Sequence, residues 1–169
     1  QLLTKANRAY STEINDILLA ALTLTIASYN QTDRILINLE SHGRESIIED
    51  VDITRSVGWF TSQYPVILHM RDNLSDVIID TKDTLRRIPH KGIGYGILKY
   101  LSPFELKDTR IPDISFNYLG QFDENISSNS FTLADIRPGD SVSKNSGRLY
   151  PLNISAMILH RQFTLTLSY

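Results

Sequence analysis

The 169-residue sequence has no cysteine, which excludes a disulfide framework, a thiolate zinc site and a cysteine nucleophile. It has no surplus of one charge either: 17 Lys and Arg stand against 19 Asp and Glu, a formal net charge of −2. The two signs are dispersed, so the basic stripe of a general nucleic-acid binder is missing. No apolar run approaches the ~20 residues that a membrane span needs, because the longest candidate, residues 14–29, is broken by polar side chains. The opening residues Gln1-Leu2-Leu3-Thr4-Lys5 lack the order of a signal peptide. These absences predict a cytoplasmic chain, off the membrane and cut from something longer. What is present suffices for a core: 41% of the residues are hydrophobic, and a chain of this size buries about 68–70% of its unfolded surface. With no internal repeat and no low-complexity linker, residues 1–169 are expected to form a single domain.

Periodicity supplies the elements. Ile14, Ile17, Leu18, Ala21, Leu22 and Ile26 follow the spacing of an amphipathic helix over 11–29, with Ser11 or Thr12 as its cap. Residues 34–39 alternate as a strand, placing Leu36, Asn38 and Glu40 on one side and Ile35, Ile37 and Leu39 on the other. A second strand is expected over 59–70, bent or interrupted at Pro65. A helix over 73–88 carries Arg86 and Arg87 in its last turn and stops at Pro89. A short helix over 92–101, strands at 114–122 and 131–136, and a closing pair at 152–159 and 163–169 around His160-Arg161 complete the pattern. Polar loops are expected at 123–130 and 138–149. Helices interspersed with strands and closing on a hairpin predict an α/β chain with a mixed sheet.

Most candidate chemistry fails on spacing. Gly92-Ile93-Gly94-Tyr95-Gly96 follows a helix and a proline, not a strand, and G-x-G-x-G is not the dinucleotide fingerprint. A helix-to-helix connection with close backbone approach fits it better. The four histidines are far apart, with no ligand spacing for a metal. No G-x-S-x-G elbow exists for a serine nucleophile.

The densest chemical cluster is Glu40-Ser41-His42-Gly43-Arg44-Glu45, at the end of a strand. Glu40 shares a side with Asn38 and Leu36, so it can face a partly apolar cleft and serve as a general base. Arg44 is suited to orient that carboxylate or to neutralise an enolate oxyanion. By residue type alone, a solvated polar turn accounts for the segment better than a site does. Asn117 and Tyr118 are polar groups inside an otherwise apolar strand, and a buried polar group must find a partner, in some cases a ligand.

Taken together, these segments resemble one family. Asp16 to Ala21 resembles D-x-L-L-x-A, although the family's following Gly is Thr23 here. Residues 40–45 read E-S-H-G-R-E against E-G-H-G-R-E, and residues 55–66 read R-S-V-G-W-F-T-S-Q-Y-P-V against R-T-V-G-W-F-T-x-x-Y-P. Residues 89–96 match P-x-x-G-x-G-Y-G, and residues 116–123 match F-N-Y-L-G-Q-F-D without change. In this order they identify the chain as similar to the C-terminal half of a nonribosomal peptide synthetase epimerization domain, in the condensation-domain superfamily. Sister condensation domains would carry a different segment at 90–96 and at 58–61.

The resemblance implies a chloramphenicol-acetyltransferase-like half, with a mixed, mostly antiparallel sheet and helices on one face. It implies inversion, L to D, of the α-carbon of an aminoacyl or peptidyl thioester. The substrate would ride on the 4'-phosphopantetheine arm of a peptidyl carrier protein, with no cofactor bound directly. On the family's positions, Glu40 is the base or proton donor on one face, and Asn117 and Tyr118 hold the thioester or shuttle a proton. Arg44 orients Glu40 or its loop, and His42 is structural. The family's H-H-x-x-x-D-G does not occur in these residues, so a second, N-terminal half is the expected partner, and the chain alone is expected to be inactive. Residues 124–149 are expected to cross to that half. Surface bared between the halves predicts an apolar patch and self-association. Two other readings stand beside it: a condensation domain forming peptide bonds, and a non-catalytic module that docks carrier proteins.

Overall fold

The alternation along residues 34–39 opens a sheet. The computed structural model describes residues 5–103, 106, 110–121, 139, 143, 145–159 and 162–169. Among these lie β1 (Arg34–Ser41), β2 (Ser62–His69), β3 (Ile114–Gln121), β4 (Leu152–Leu159) and β5 (Gln162–Ser168), joined in the order β2-β1-β3-β4-β5. The outer pairs β1–β2 and β4–β5 are antiparallel, and the inner pairs β1–β3 and β3–β4 are parallel. The sheet is therefore mixed, as expected: two strand pairs are antiparallel and two parallel, and the antiparallel ladders are the longer. Between β2 and β3 the chain carries helices and passes β1, so that β3 lies beside β1 and runs opposite to β2. Pro65 does not interrupt β2, because β2 is an edge strand and its missing N–H has no second neighbour to serve.

The helices are α1 (Asn7–Tyr10), α2 (Ile14–Asn30), α3 (Leu74–Arg87) and α4 (Gly94–Tyr100), the last preceded by a 3-10 turn, Pro89–Gly92. The cap of α2 is Glu13, not Ser11 or Thr12. Glu13 and Asp16 form a reciprocal capping box in which Asp16 Oδ2 accepts the Glu13 N–H at 2.9 Å. Asn73 caps α3 by accepting the Asp76 N–H at 3.0 Å. Thr23, where the resembled motif has Gly, is fully buried, and its hydroxyl is satisfied by donating to the Leu19 carbonyl at 2.8 Å.

The two helices α2 and α3 cover one face of the sheet. Leu19 and Ala27 pack there with Ile35, Ile37, Leu39, Val66, Leu68, Phe116 and Ile154, while Ala20, Val77 and Ile78 join the helices to each other. Each buried Val, Leu, Ile or Phe among them contributes about 1.5–3 kcal/mol. On the same face β5 is bare: Phe163, Leu165 and Leu167 stand in register with buried Ile158, Ala156 and Ile154, yet are themselves exposed. These side chains form an exposed apolar strip along β5. The strand expected at 131–136, the turn residues 160–161, and much of the loops 123–130 and 138–149 lie outside the described residues. Among the described residues no helix is long and apolar enough to cross a membrane.

Candidate functional site

The opposite face of the sheet is polar, and strand register builds it. Glu40 of β1 lies directly across from Gln63 of β2, and Asn38 lies across from both Pro65 and, on β3, Ser115. Since alternate residues share a face, Glu40, Asn38, Gln63, Ser115 and Asn117 all project to this side. Asn38 is buried and donates through Nδ2 to the Ser115 hydroxyl at 3.2 Å. Beside it the Glu40 carboxylate accepts on both oxygens. Gln63 Nε2 donates to Oε1 at 3.0 Å and Asn117 Nδ2 to Oε2 at 2.6 Å.

Glu40 and Asn38 form part of the floor of an open cleft of about 880 Å³. Trp59, Phe60 and Thr61 make one wall, Ile93, Tyr95 and Ile97 of the α4 segment another, and Leu149 with Tyr150 part of the rim. The Tyr150 hydroxyl donates to Gln63 Oε1 at 3.4 Å. Burial pushes the Tyr150 phenol above its ordinary pKa, and the Glu40 charge and the neighbouring Tyr100 and Tyr95 add to the shift. The phenol thus stays a donor at neutral pH.

Arg44 is close to Glu40 in sequence but is engaged elsewhere. Its guanidinium donates to the carbonyls of Ile53 at 2.9 Å and Ser56 at 3.0 Å and stacks on the Phe60 ring, 4.2 Å from its centroid. These contacts tie together the loop 42–61 that carries Trp59 and Phe60. His42 Nδ1 accepts the Arg44 N–H at 3.0 Å, and its Nε2 lies 3.2 Å from Glu45, which also faces Lys91 at 3.6 Å. These are contacts within the loop and from the loop to the turn before α4. That turn is tight: Gly92 has φ +77°, and a Cβ there would collide with the Tyr64 ring. The glycine run is thus a helix-to-helix connection with close approach at its first residue.

Tyr118 is not brought to Glu40. It follows Asn117 on a strand, so it points to the other face, in register with buried Ala156, and packs against the core under the helices. Burial raises its phenol pKa. Asn117 and Tyr118, neighbours in sequence, are separated by the pleat. Sequence reasoning does not reach Gln63 or Tyr150. The available signal for Gln63 is the antiparallel pairing of 34–41 with 62–69, which sets it opposite Glu40; Tyr150 has no local signal.

The condensation-domain family pattern matches residues 1–169. A plipastatin synthase subunit from Bacillus subtilis (strain 168) is 53% identical over 165 residues, 93% of this chain and 6% of that protein. The chain therefore spans a small fraction of such relatives. The crystal structure of the epimerization domain from the third module of tyrocidine synthetase B superposes with a TM-score of 0.86 at 45% identity, over 98% of this chain and 38% of that one. The condensation domain from the monacolin K polyketide synthase MokA shares the fold, with a TM-score of 0.67 at 17% identity over 98% of this chain and 37% of that one.

Proposed function

The chain belongs to the condensation-domain family, and from that premise we propose that it is the C-terminal half of an epimerization domain in a nonribosomal peptide synthetase. Its substrate on this reading is an aminoacyl or peptidyl thioester, presented on the 4'-phosphopantetheine arm of a carrier protein. The observation that carries the reading is the Glu40 carboxylate, aimed by an amide on each oxygen at the floor of a cleft with aromatic walls.

The chemistry needs little more. A thioester α-proton is acidic enough for a positioned carboxylate to remove it when the developing enolate is stabilised and water is kept out. Glu40 takes the proton from Cα, and the C–H electron pair moves into the thioester to form the enolate. Return of a proton to the opposite face of Cα gives the inverted centre. The proton for that face comes from the partner half, the expected site of H-H-x-x-x-D-G. Asn117 holds Glu40 from β3, whereas Arg44 acts through the loop. Tyr118, on the far face, is assigned no step.

Exchange of the α-proton with solvent, measured on a carrier-bound aminoacyl thioester with the complete domain, tests this. Glu40→Gln is expected to slow exchange about 10²–10⁴-fold, the range of general acid–base catalysis. The chain without its partner half is expected to show none. Undiminished exchange in Glu40→Gln overturns the assignment, as a module that only docks carrier proteins would give. Peptide-bond formation without exchange would identify a condensation domain instead.

A further inference from the structure

The Glu40 carboxylate is clamped from both neighbouring strands, and only one half of the clamp lies within a residue pattern of the family. Asn117 belongs to the F-N-Y-L-G-Q-F-D segment. Gln63 falls at an unspecified position of the F-T-x-x-Y-P segment. We propose that Gln63 is a positioning residue for proton transfer at Cα, its amide fixing the plane of the Glu40 carboxylate.

The three side chains form a single file, Tyr150 to Gln63 to Glu40. Gln63 stands opposite Glu40 in the β1–β2 register, so its side chain needs no detour to reach Oε1 at 3.0 Å. A carboxylate held on one oxygen can still rotate about its last bond; held on both, by donors from β2 and β3, it has one orientation. The amide is itself oriented. Its Oε1 accepts from Tyr150, 87 residues away in sequence, which leaves Nε2 to face Glu40. The reversed amide would set oxygen against oxygen and leave the Tyr150 hydroxyl without its acceptor. The raised phenol pKa of Tyr150 keeps that hydroxyl protonated, and therefore donating, through the neutral range. Proton transfer is sensitive to such alignment, because misplacement of a reacting group by about 1 Å can cost about 10²-fold.

This inference rests on the epimerase reading, so its test runs beside Glu40→Gln in the complete domain, with an aminoacyl-carrier thioester as the probe. Gln63→Leu keeps most of the volume and removes the donor. It is expected to lower kcat for α-proton exchange about 10–100-fold, with KM within about twofold. Tyr150→Phe leaves Gln63 in place and frees its amide; a smaller loss of kcat, about 2–5-fold, is expected without a change in KM. It decides the matter should Gln63→Leu fail to fold. Wild-type kcat in Gln63→Leu, or wild-type kcat in Tyr150→Phe where the former does not fold, overturns the positioning role. Undiminished exchange in Glu40→Gln overturns the epimerase reading instead.

Discussion

Gly43 lies so close to the carbonyl oxygen of Phe60 that a Cβ on it would collide with that oxygen, and its backbone has φ +65°. The loop leaving β1 and the segment that leads into β2 thus touch backbone to backbone, beside the paired ends that carry Glu40 and Gln63. Gly43→Ala meets both a left-handed backbone and a collision that no rotamer relieves. A loss of about 2–4 kcal/mol is expected in denaturant unfolding of the complete domain. Gly94 and Gly96 are a contrast from the same sequence: among the described residues nothing lies within 4 Å of a Cβ on either. Alanine at these two positions of α4 should be neutral or stabilising by up to about 1 kcal/mol. Equal costs at Gly43 and Gly96 would show that the backbone contact is not what makes Gly43 necessary.

Arg44 bridges the carbonyls of Ile53 and Ser56 with the two ends of one planar group while lying over Phe60. Lysine keeps the charge but cannot span both carbonyls or stack in the same way. Arg44→Lys is expected to cost about 1–3 kcal/mol. Its specific signature is faster hydrogen exchange at residues 53–61 while the amides of β1 stay protected. Equal loss of protection in β1 would mean that Arg44 supports the sheet rather than the cleft wall.

The parts of the fold that repeat a period are legible in the sequence. The strand over 34–39 and the helix over 73–88 are bounded to within a few residues, since alternation and the i, i+3, i+4 stripe report which side chains must be buried. The side on which Glu40 lies follows from the same alternation. That rule also separates Asn117 from Tyr118: once Phe116 is core, Tyr118 is on the core side, whereas polarity alone groups the two. The clamp on Glu40 is not legible because it depends on register between strands. Nothing within residues 34–41 or 62–69 states that position 40 meets position 63. The target of Arg44 is hidden for a similar reason. The carbonyls it binds belong to a loop without periodicity, and any nearby carboxylate would serve equally well on paper.

Asp16 offers a stability test with a definite sign. It is buried, and burial raises its carboxyl pKa above the usual 3.8 despite the Glu13 N–H and the Arg86 charge, which pull it down; Glu13 adds to the rise and Lys82 opposes it. With the folded value above the unfolded one, the folded state binds the proton more readily. Stability contributed by this group therefore increases as pH falls through the raised value toward 3.8, the reverse of a salt-bridged carboxylate. Asp16→Asn keeps an acceptor for the Glu13 N–H and removes the titration. The wild-type chain should gain stability relative to Asp16→Asn as pH is lowered through that window, and the difference should be flat above it. Unfolding midpoints of the two proteins across that range check this. A wild type that loses ground to the variant on acidification would show that the Arg86 contact, 3.5 Å from Asp16, outweighs the burial.

Asn117 allows the charge state of Glu40 to be read through activity. Its Nδ2 sits 2.6 Å from Glu40 Oε2, so Asn117→Asp brings a second carboxylate into hydrogen-bond range of the first. Two carboxylates this close do not both ionise; they share a proton and titrate as a pair, with one proton held to a higher pH. Asn117→Ala only removes a donor and leaves Gln63 in place. If an ionised Glu40 is the base, Asn117→Asp should be the slower of the two at neutral pH, by about 10-fold or more in α-proton exchange. The deficit should shrink as pH rises and the shared proton leaves. Loss of a hydrogen bond alone predicts the opposite order, since aspartate keeps more of the asparagine's shape than alanine does. A pair of variants with identical pH–rate profiles would separate Glu40 from the proton-transfer step altogether.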